Sequence, residues 1–160
     1  MKILVLSDTH RDMGRAFKLI NIIKDEIDCI FHLGDNVEDA ESIRRNFNIK
    51  VYNVAGNTDY TVSVPEEQLV ELAGKKILLT HGHLYNIYSS INSLYYRANE
   101  INANAVLFGH THVPLNTVID DVLIFNPGSL TRPRGNSTYS YGILDIVDDN
   151  IKAVNVEYKL

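Results

Sequence analysis

Short apolar runs alternate along this chain with segments whose apolar residues recur three or four apart. Lys2 to Ser7, Cys29 to Leu33 and Lys50 to Val54 read as buried strands. Between the first two, Phe17, Ile20, Ile23 and Ile27 keep helical spacing, which predicts a helix that Asp12 can cap. A shorter helix is expected over Glu38 to Asn46, giving a βαβ opening. Gln68 to Leu72 and Lys76 to Thr80, joined through Ala73-Gly74-Lys75, have the form of a hairpin. Ile87, Ile91, Leu94, Ala98 and Ile101 then predict a second long amphipathic helix, and Ala105 to Phe108 returns to strand. The remainder runs through Val118, Val122 to Phe125, Ser137 to Ile146 and Ile151 to Val156. It alternates β-formers with turn residues such as Asp148-Asp149-Asn150, so the second half is expected to be largely antiparallel β.

Composition narrows the class. With 160 residues, 45% of them hydrophobic, and no linker or charge block, the chain is expected to be one domain over 1–160 with a full-sized core. A formal net charge of -5, with the signs interleaved, leaves no basic face for an extended nucleic acid. Cys29 sits inside an apolar run and reads as a small core residue, so nothing points to an oxidising compartment. The apolar opening is too short for a secretion signal, and no run approaches the roughly 18 apolar residues of a membrane span. No membrane association and a cytoplasmic location are expected.

The chemistry collects where the strands end. Asp8-Thr9-His10 and His110-Thr111-His112 each place two metal-capable side chains two residues apart, the spacing at which strand residues point the same way. Asp35, Asn57 and His81 follow three other strand-like segments. Seven oxygen and nitrogen donors suffice for two ions sharing a carboxylate. Asp8 and His10 suit one ion and Asn57 and His81 the other; Asp35 can bridge, and His110 with His112 can supply one ligand to each. Imidazole and carboxylate without thiolate favour Mn, Fe, Zn, Ni or Co over a soft metal, with the choice among them open and Mn the first expected, and the histidines argue against plain Mg or Ca. Two divalent cations, offset by two carboxylates and a bridging hydroxide, leave the site positive by about one unit. Such a site attracts a phosphoryl anion.

The ordered set Asp8-x-His10, Gly34-Asp35, Gly56-Asn57-x-Asp59, Thr80-His81-Gly82-His83 and Gly109-His110-x-His112 resembles the calcineurin-like metallophosphoesterases over nearly the whole chain. The stretch Asn126-Pro127-Gly128-Ser129-Leu130-Thr131-Arg132-Pro133-Arg134 further resembles their small, single-domain phosphodiesterase branch. The resemblance implies an α/β fold, a four-layer α-β-β-α sandwich of two mixed sheets flanked by helices, with a dinuclear site at strand ends. It implies Asp8, His10, Asp35 and His112 on one ion, and Asp35, Asn57, His81 and His110 on the other. The implied activity is hydrolysis of a small phosphodiester by a metal-bridging hydroxide. A phosphomonoesterase and a non-catalytic scaffold like the related retromer subunit are the alternatives.

One position departs from the family. Many members carry His after the Gly-Asn pair, where it can protonate the leaving oxygen; here that position is Thr58. General acid catalysis is worth about 10² to 10⁴-fold, so the gap disfavours poor leaving groups and alkyl monoesters. His83, two residues from His81, can stand in as the acid or can simply be a structural histidine. The plainer readings make Asp59 an orienter, His32 a packed strand residue, and Thr9 and Thr111 spacers. Arg132 and Arg134 pin a loop, or else form a fork on substrate phosphate. Tyr85, Tyr88, Tyr95 and Tyr96 read as half-buried packing, with a partner or homodimer face as the other reading.

Overall fold

The structure, a computed structural model, describes residues 1–60 and 63–159. Its strands are β1 (Lys2–Leu6), β2 (Cys29–His32), β3 (Lys50–Asn53), β4 (Glu67–Leu72), β5 (Lys75–Thr80), β6 (Ala105–Leu107), β7 (Leu115–Ile119), β8 (Val122–Asn126), β9 (Ser140–Val147) and β10 (Asn150–Glu157). The helices are α1 (Gly14–Ile23), α2 (Val37–Asn46) and α3 (Asn92–Glu100). The strands form two five-stranded sheets, ordered β10-β9-β1-β2-β3 and β4-β5-β6-β8-β7.

Period-two alternation builds the layers. Ile3, Val5, Cys29 and Phe31 face Ile77, Leu79, Leu107 and Phe125 in a core between the sheets. The residues between them, Leu4, Leu6 and Ile30, pack instead on Ala16, Ile20, Ala40 and Ile43 of α1 and α2. On the other sheet Leu78, Val106 and Ile124 meet Leu94 and Ala98 of α3. The result is the expected α-β-β-α sandwich of two mixed sheets.

Three expectations need correction. Asp12 does not cap α1 from the N-cap position: Met13 holds that place, and Ile27 lies beyond the helix end. The second long helix is cut to α3, because Gly82 (φ 101) and Asn86 (φ 48) adopt left-handed conformations around a 3₁₀ turn at His83–Tyr85. Ile87 and Ile101 still pack on the α3 core, which is why they mimicked one long apolar stripe. Finally, the second half is largely antiparallel as expected, but β6 is an exception, pairing in parallel with both β5 and β8. The two-residue turns Ala73-Gly74 and Asp148-Asp149 close their hairpins with positive φ at both positions, as type I′ turns require.

Parallel pairing positions everything that follows. β1, β2 and β3 are parallel neighbours in one sheet, and β5 and β6 in the other. Their carboxyl ends therefore open on the same region, where loops from five strands meet.

Candidate metal centre

Each strand-end loop carries one or two polar side chains, and the loops are tied to each other by backbone. Asp8 N–H donates to the Gly34 carbonyl (3.1 Å), His10 N–H to the Asp35 carbonyl (3.3 Å) and Gly109 N–H to the His81 carbonyl (3.0 Å). The chain turns sharply here: Asp8, His10, Asp35, His110 and His112 all have φ between 47° and 66°. Asp and His tolerate this region better than most residues, and such conformations collect where surrounding structure over-determines them.

Glycines make room for the loops. A Cβ on Gly109 would lie 1.9 Å from Ser7 Oγ and 2.8 Å from Asp8 Oδ2, and one on Gly56 would lie 2.2 Å from Asp35 Oδ1.

The donors face each other with lone pairs. His81 Nδ1 lies 2.7 Å from the Leu33 carbonyl, so it carries the proton and Nε2 presents a lone pair. That Nε2 meets Asn57 Oδ1 at 3.1 Å and Asp35 Oδ1 at 3.3 Å, both acceptors. Only a cation, whether a proton or a metal ion, reconciles the three. His112 repeats the device: Nδ1 is 2.6 Å from the Arg132 carbonyl, and Nε2 lies 3.2 Å from both His10 Nε2 and Asp8 Oδ1. Asp8 Oδ1 is buried with no hydrogen-bond donor, a costly state for a carboxylate oxygen unless a cation meets it. The donor set fits divalent metal.

Among the described residues two groups could each hold an ion: Asp8, His10 and His112, and Asp8, Asp35 and His81. Asp8 belongs to both. The Asp35 carboxylate faces both groups too, with Oδ2 3.9 Å from His10 Nε2 and Oδ1 toward His81. Asn57 sits against His81. The His110 ring lies 5.1 Å from the His81 ring by centroids, while its backbone N–H donates to Asp8 Oδ2 at 3.0 Å.

Protonation follows the surroundings. Burial works against ionisation of Asp8, but the facing His112 and His81 prevail and hold its carboxyl below the usual range. Burial also opposes ionisation of Asp35, and the His81 hydrogen bond and charge with the Thr58 N–H outweigh it. Burial would push His81 down; instead its Asp35 hydrogen bond and the Asp8 charge push it up. Burial pushes His10 and His110 down, which keeps their imidazoles neutral and able to ligate.

Residues around the donors take defined places. Asp59 accepts Val37 N–H (2.8 Å) and Gly56 N–H (2.9 Å), tying α2 to the Asn57 loop. The Thr9 hydroxyl donates to Asp39 Oδ2 at 2.6 Å and therefore accepts from His32 Nε2 at 2.9 Å, so Thr9 does more than space Asp8 from His10. Asp39, which sequence reasoning missed, also takes Arg11 N–H at 2.8 Å; an acidic residue in a helix first turn looks ordinary, and only its burial sets it apart. Ser129 and Thr131 hydroxyls both donate to the Asp8 carbonyl (3.0 and 2.8 Å), and Asn126 reaches the Gly109 carbonyl (2.8 Å). His83 Nε2 is 3.2 Å from Glu66 Oε1, with its Nδ1 buried and unpartnered. Arg132 and Arg134 form no fork: Arg134 bonds the Tyr88 hydroxyl at 3.1 Å, and that hydroxyl donates to the His110 carbonyl. A cavity of about 530 Å³ bordered by Lys2, Asp145 and Lys152 lies at the opposite end of β1, away from these donors.

A profile of the calcineurin-like phosphoesterase superfamily domain matches residues 1–149. A probable metallophosphoesterase of Bacillus subtilis, YsnB, is 37% identical over 153 residues, spanning 93% of this chain and 86% of that protein. A conserved uncharacterized protein of Streptococcus pneumoniae, a predicted phosphoesterase, superposes with a TM-score of 0.84 at 32% identity over 98% of this chain and 88% of that one. A novel archaeal phosphodiesterase superposes with a TM-score of 0.75 at 26% identity, covering 98% of this chain and all (100%) of the other. Zinc-bound Vps29 of Entamoeba histolytica shares the fold, with a TM-score of 0.76 at 22% identity over 98% of each chain.

Proposed function

We propose, from the premise that this chain belongs to the calcineurin-like phosphoesterase superfamily, that it is a phosphodiesterase acting as a single domain on a small phosphodiester. A metal-dependent phosphoesterase is what the family and the relatives support directly. The convergence of His81 and His112 Nε2 atoms on the carboxylate oxygens, with Asp8 Oδ1 buried and undonated, carries the reading further.

In this reading Asp8, His10 and His112 hold one divalent cation, and Asn57, His81 and His110 a second. Asp35, which faces both groups, would serve either ion, and Mn is the first metal to try. When bound, such a pair polarises a phosphoryl oxygen and makes a bound water acidic enough to serve as nucleophile near neutral pH. The chain's own residues do the positioning. Leu33 and Arg132 carbonyls fix the His81 and His112 tautomers, and Asp59 holds the Asn57 loop.

Thr58 supports the diester preference. It sits beside Asp35, to which its N–H donates at 3.2 Å, and it offers no acid to a leaving alkoxide. On the Mn-loaded protein, kcat/KM for bis(p-nitrophenyl) phosphate is expected to exceed that for p-nitrophenyl phosphate by about 10²-fold or more. Chelation should abolish both activities and Mn should restore them. A faster monoester reaction would reject the diester reading, and turnover that survives chelation would reject the metal.

We propose His83 as the donor of the missing proton. Glu66 orients its ring, which lies 5.5 Å from the His81 ring by centroids. His83→Gln should lower kcat about 10²-fold on a dinucleotide, whose leaving alkoxide needs a proton, and only a few-fold on the nitrophenyl diester, with metal content unchanged. Equal effects on the two substrates would remove His83 from this role.

A further inference from the structure

Seven arginines stand in this chain, and most have a partner. Arg15, Arg44, Arg45 and Arg97 face carboxylates, and Arg134 bonds the Tyr88 hydroxyl. Among the described residues, Arg11 and Arg132 have no carboxylate within ion-pair distance. Both line the same cavity, of about 240 Å³, together with His10, Asn36 and Thr58. In a chain of net charge -5, two solvent-exposed guanidiniums left without a carboxylate on the wall of one cavity leave that spot locally positive and open to an anion.

The two arginines are also locked in register with the metal centre. Arg11 follows His10 directly, with φ 65° and its N–H held by Asp39 Oδ2. Arg132 gives its carbonyl to His112 Nδ1 and its N–H to Ser129 Oγ at 2.9 Å. Asn36, which also lines the cavity, has φ 141°, a conformation rare outside glycine. Strain and fixed backbone at a polar cavity wall mark a place built for a ligand group. At about 240 Å³ the cavity falls below the roughly 300 to 1,000 Å³ of a whole-ligand pocket, so it takes one group rather than the entire substrate. A guanidinium's planar fork matches two oxygens of a phosphate, and two such forks line this cavity.

We propose that Arg11 and Arg132, with Asn36 and Thr58, form a subsite for a second phosphate on the substrate, so that the preferred diester carries a terminal phosphate on one arm, as a 5′-phosphorylated dinucleotide does. The inference rests on the phosphodiesterase reading of the adjoining centre. Thr58 then has two linked consequences: the position lacks an acid, and its small side chain leaves the cavity open.

The test compares pApA with ApA as phosphonate analogues whose leaving oxygen is replaced by CH₂, which removes turnover from the readout. Calorimetry on the Mn-loaded wild type should show pApA analogue binding at least about tenfold tighter than the ApA analogue. Arg11→Gln and Arg132→Gln should each bring that ratio most of the way to one. Equal affinities in the wild type would overturn the subsite, as would variants that weaken both analogues alike and keep the ratio, since the arginines would then serve the scissile phosphate. Hydrolysis of the native dinucleotides is scored separately. A binding preference without hydrolysis upholds the subsite and rejects the diesterase, whereas hydrolysis without a preference does the reverse.

Discussion

If the proposed phosphodiesterase centre holds, Asp35→Asn should lower kcat/KM on a phosphodiester by about 10³-fold and reduce the metal bound per chain. Asn keeps the size of the side chain but gives up a charge that faces both donor groups, Oδ2 toward His10 and Oδ1 toward His81. Loss of a bound cation removes several kcal/mol of transition-state stabilisation; at about 1.36 kcal/mol per decade, ~4 kcal/mol is the stated 10³. The fold should tolerate the change, because Thr58 N–H can still donate to the remaining carbonyl oxygen. Metal analysis, circular dichroism and diester kinetics on one preparation decide it. A folded variant that kept two ions and full turnover would remove Asp35 from the centre and with it the two-ion mechanism.

Gly56→Ala should damage both stability and activity. Its Cβ would stand 2.2 Å from Asp35 Oδ1 and 2.5 Å from the Asp35 backbone N, and neither neighbour is the free end of a flexible chain. Overpacking of this kind costs about 3 kcal/mol, which in a chain of this size lowers Tm by roughly 6 to 12 °C. The methyl also pushes directly on the proposed bridging carboxylate. Displacing a reacting group by about 1 Å costs about 10²-fold, so activity should fall that far even at temperatures where the variant is folded. Gly14→Ala is the control. The added Cβ meets only Asp12 Oδ1, at an ordinary 3.6 Å, at the start of α1, where Ala suits a helix better than Gly. If both variants melted and turned over like the wild type, the tight approach of the Gly56 and Asp35 loops would be wrong.

Much of the fold was legible because the strands are short, strongly apolar and separated by recognisable turns. Buried strands such as Ile3 to Leu6 announce themselves by composition, and their ends fall where Asp, His and Asn interrupt the run. The failures share a cause. Ile87 and Ile101 kept helical spacing while the backbone between them turned at Asn86, and both residues found the α3 core by tertiary packing rather than as one helix. Spacing reports which residues are buried together; it does not report whether one helix carries them.

The metal-capable residues themselves needed only the sequence. Asp8, His10, Asp35, Asn57, His81, His110 and His112 are chemically conspicuous, and each follows a strand whose direction is set by its neighbours in the chain. Their partners needed the fold. Thr9 meets Asp39, Ser129 and Thr131 hold the Asp8 carbonyl, and Arg11 shares a cavity with Arg132 rather than Arg132 with Arg134. Those pairings depend on parallel strands from two sheets ending on one side and on β9 returning to β1, so residues far apart in sequence become neighbours. Local periodicity and side-chain chemistry are properties of a segment and can be read from it. Which cation is left without a partner, and where a cavity remains, are properties of packing, and only the tertiary structure decides them.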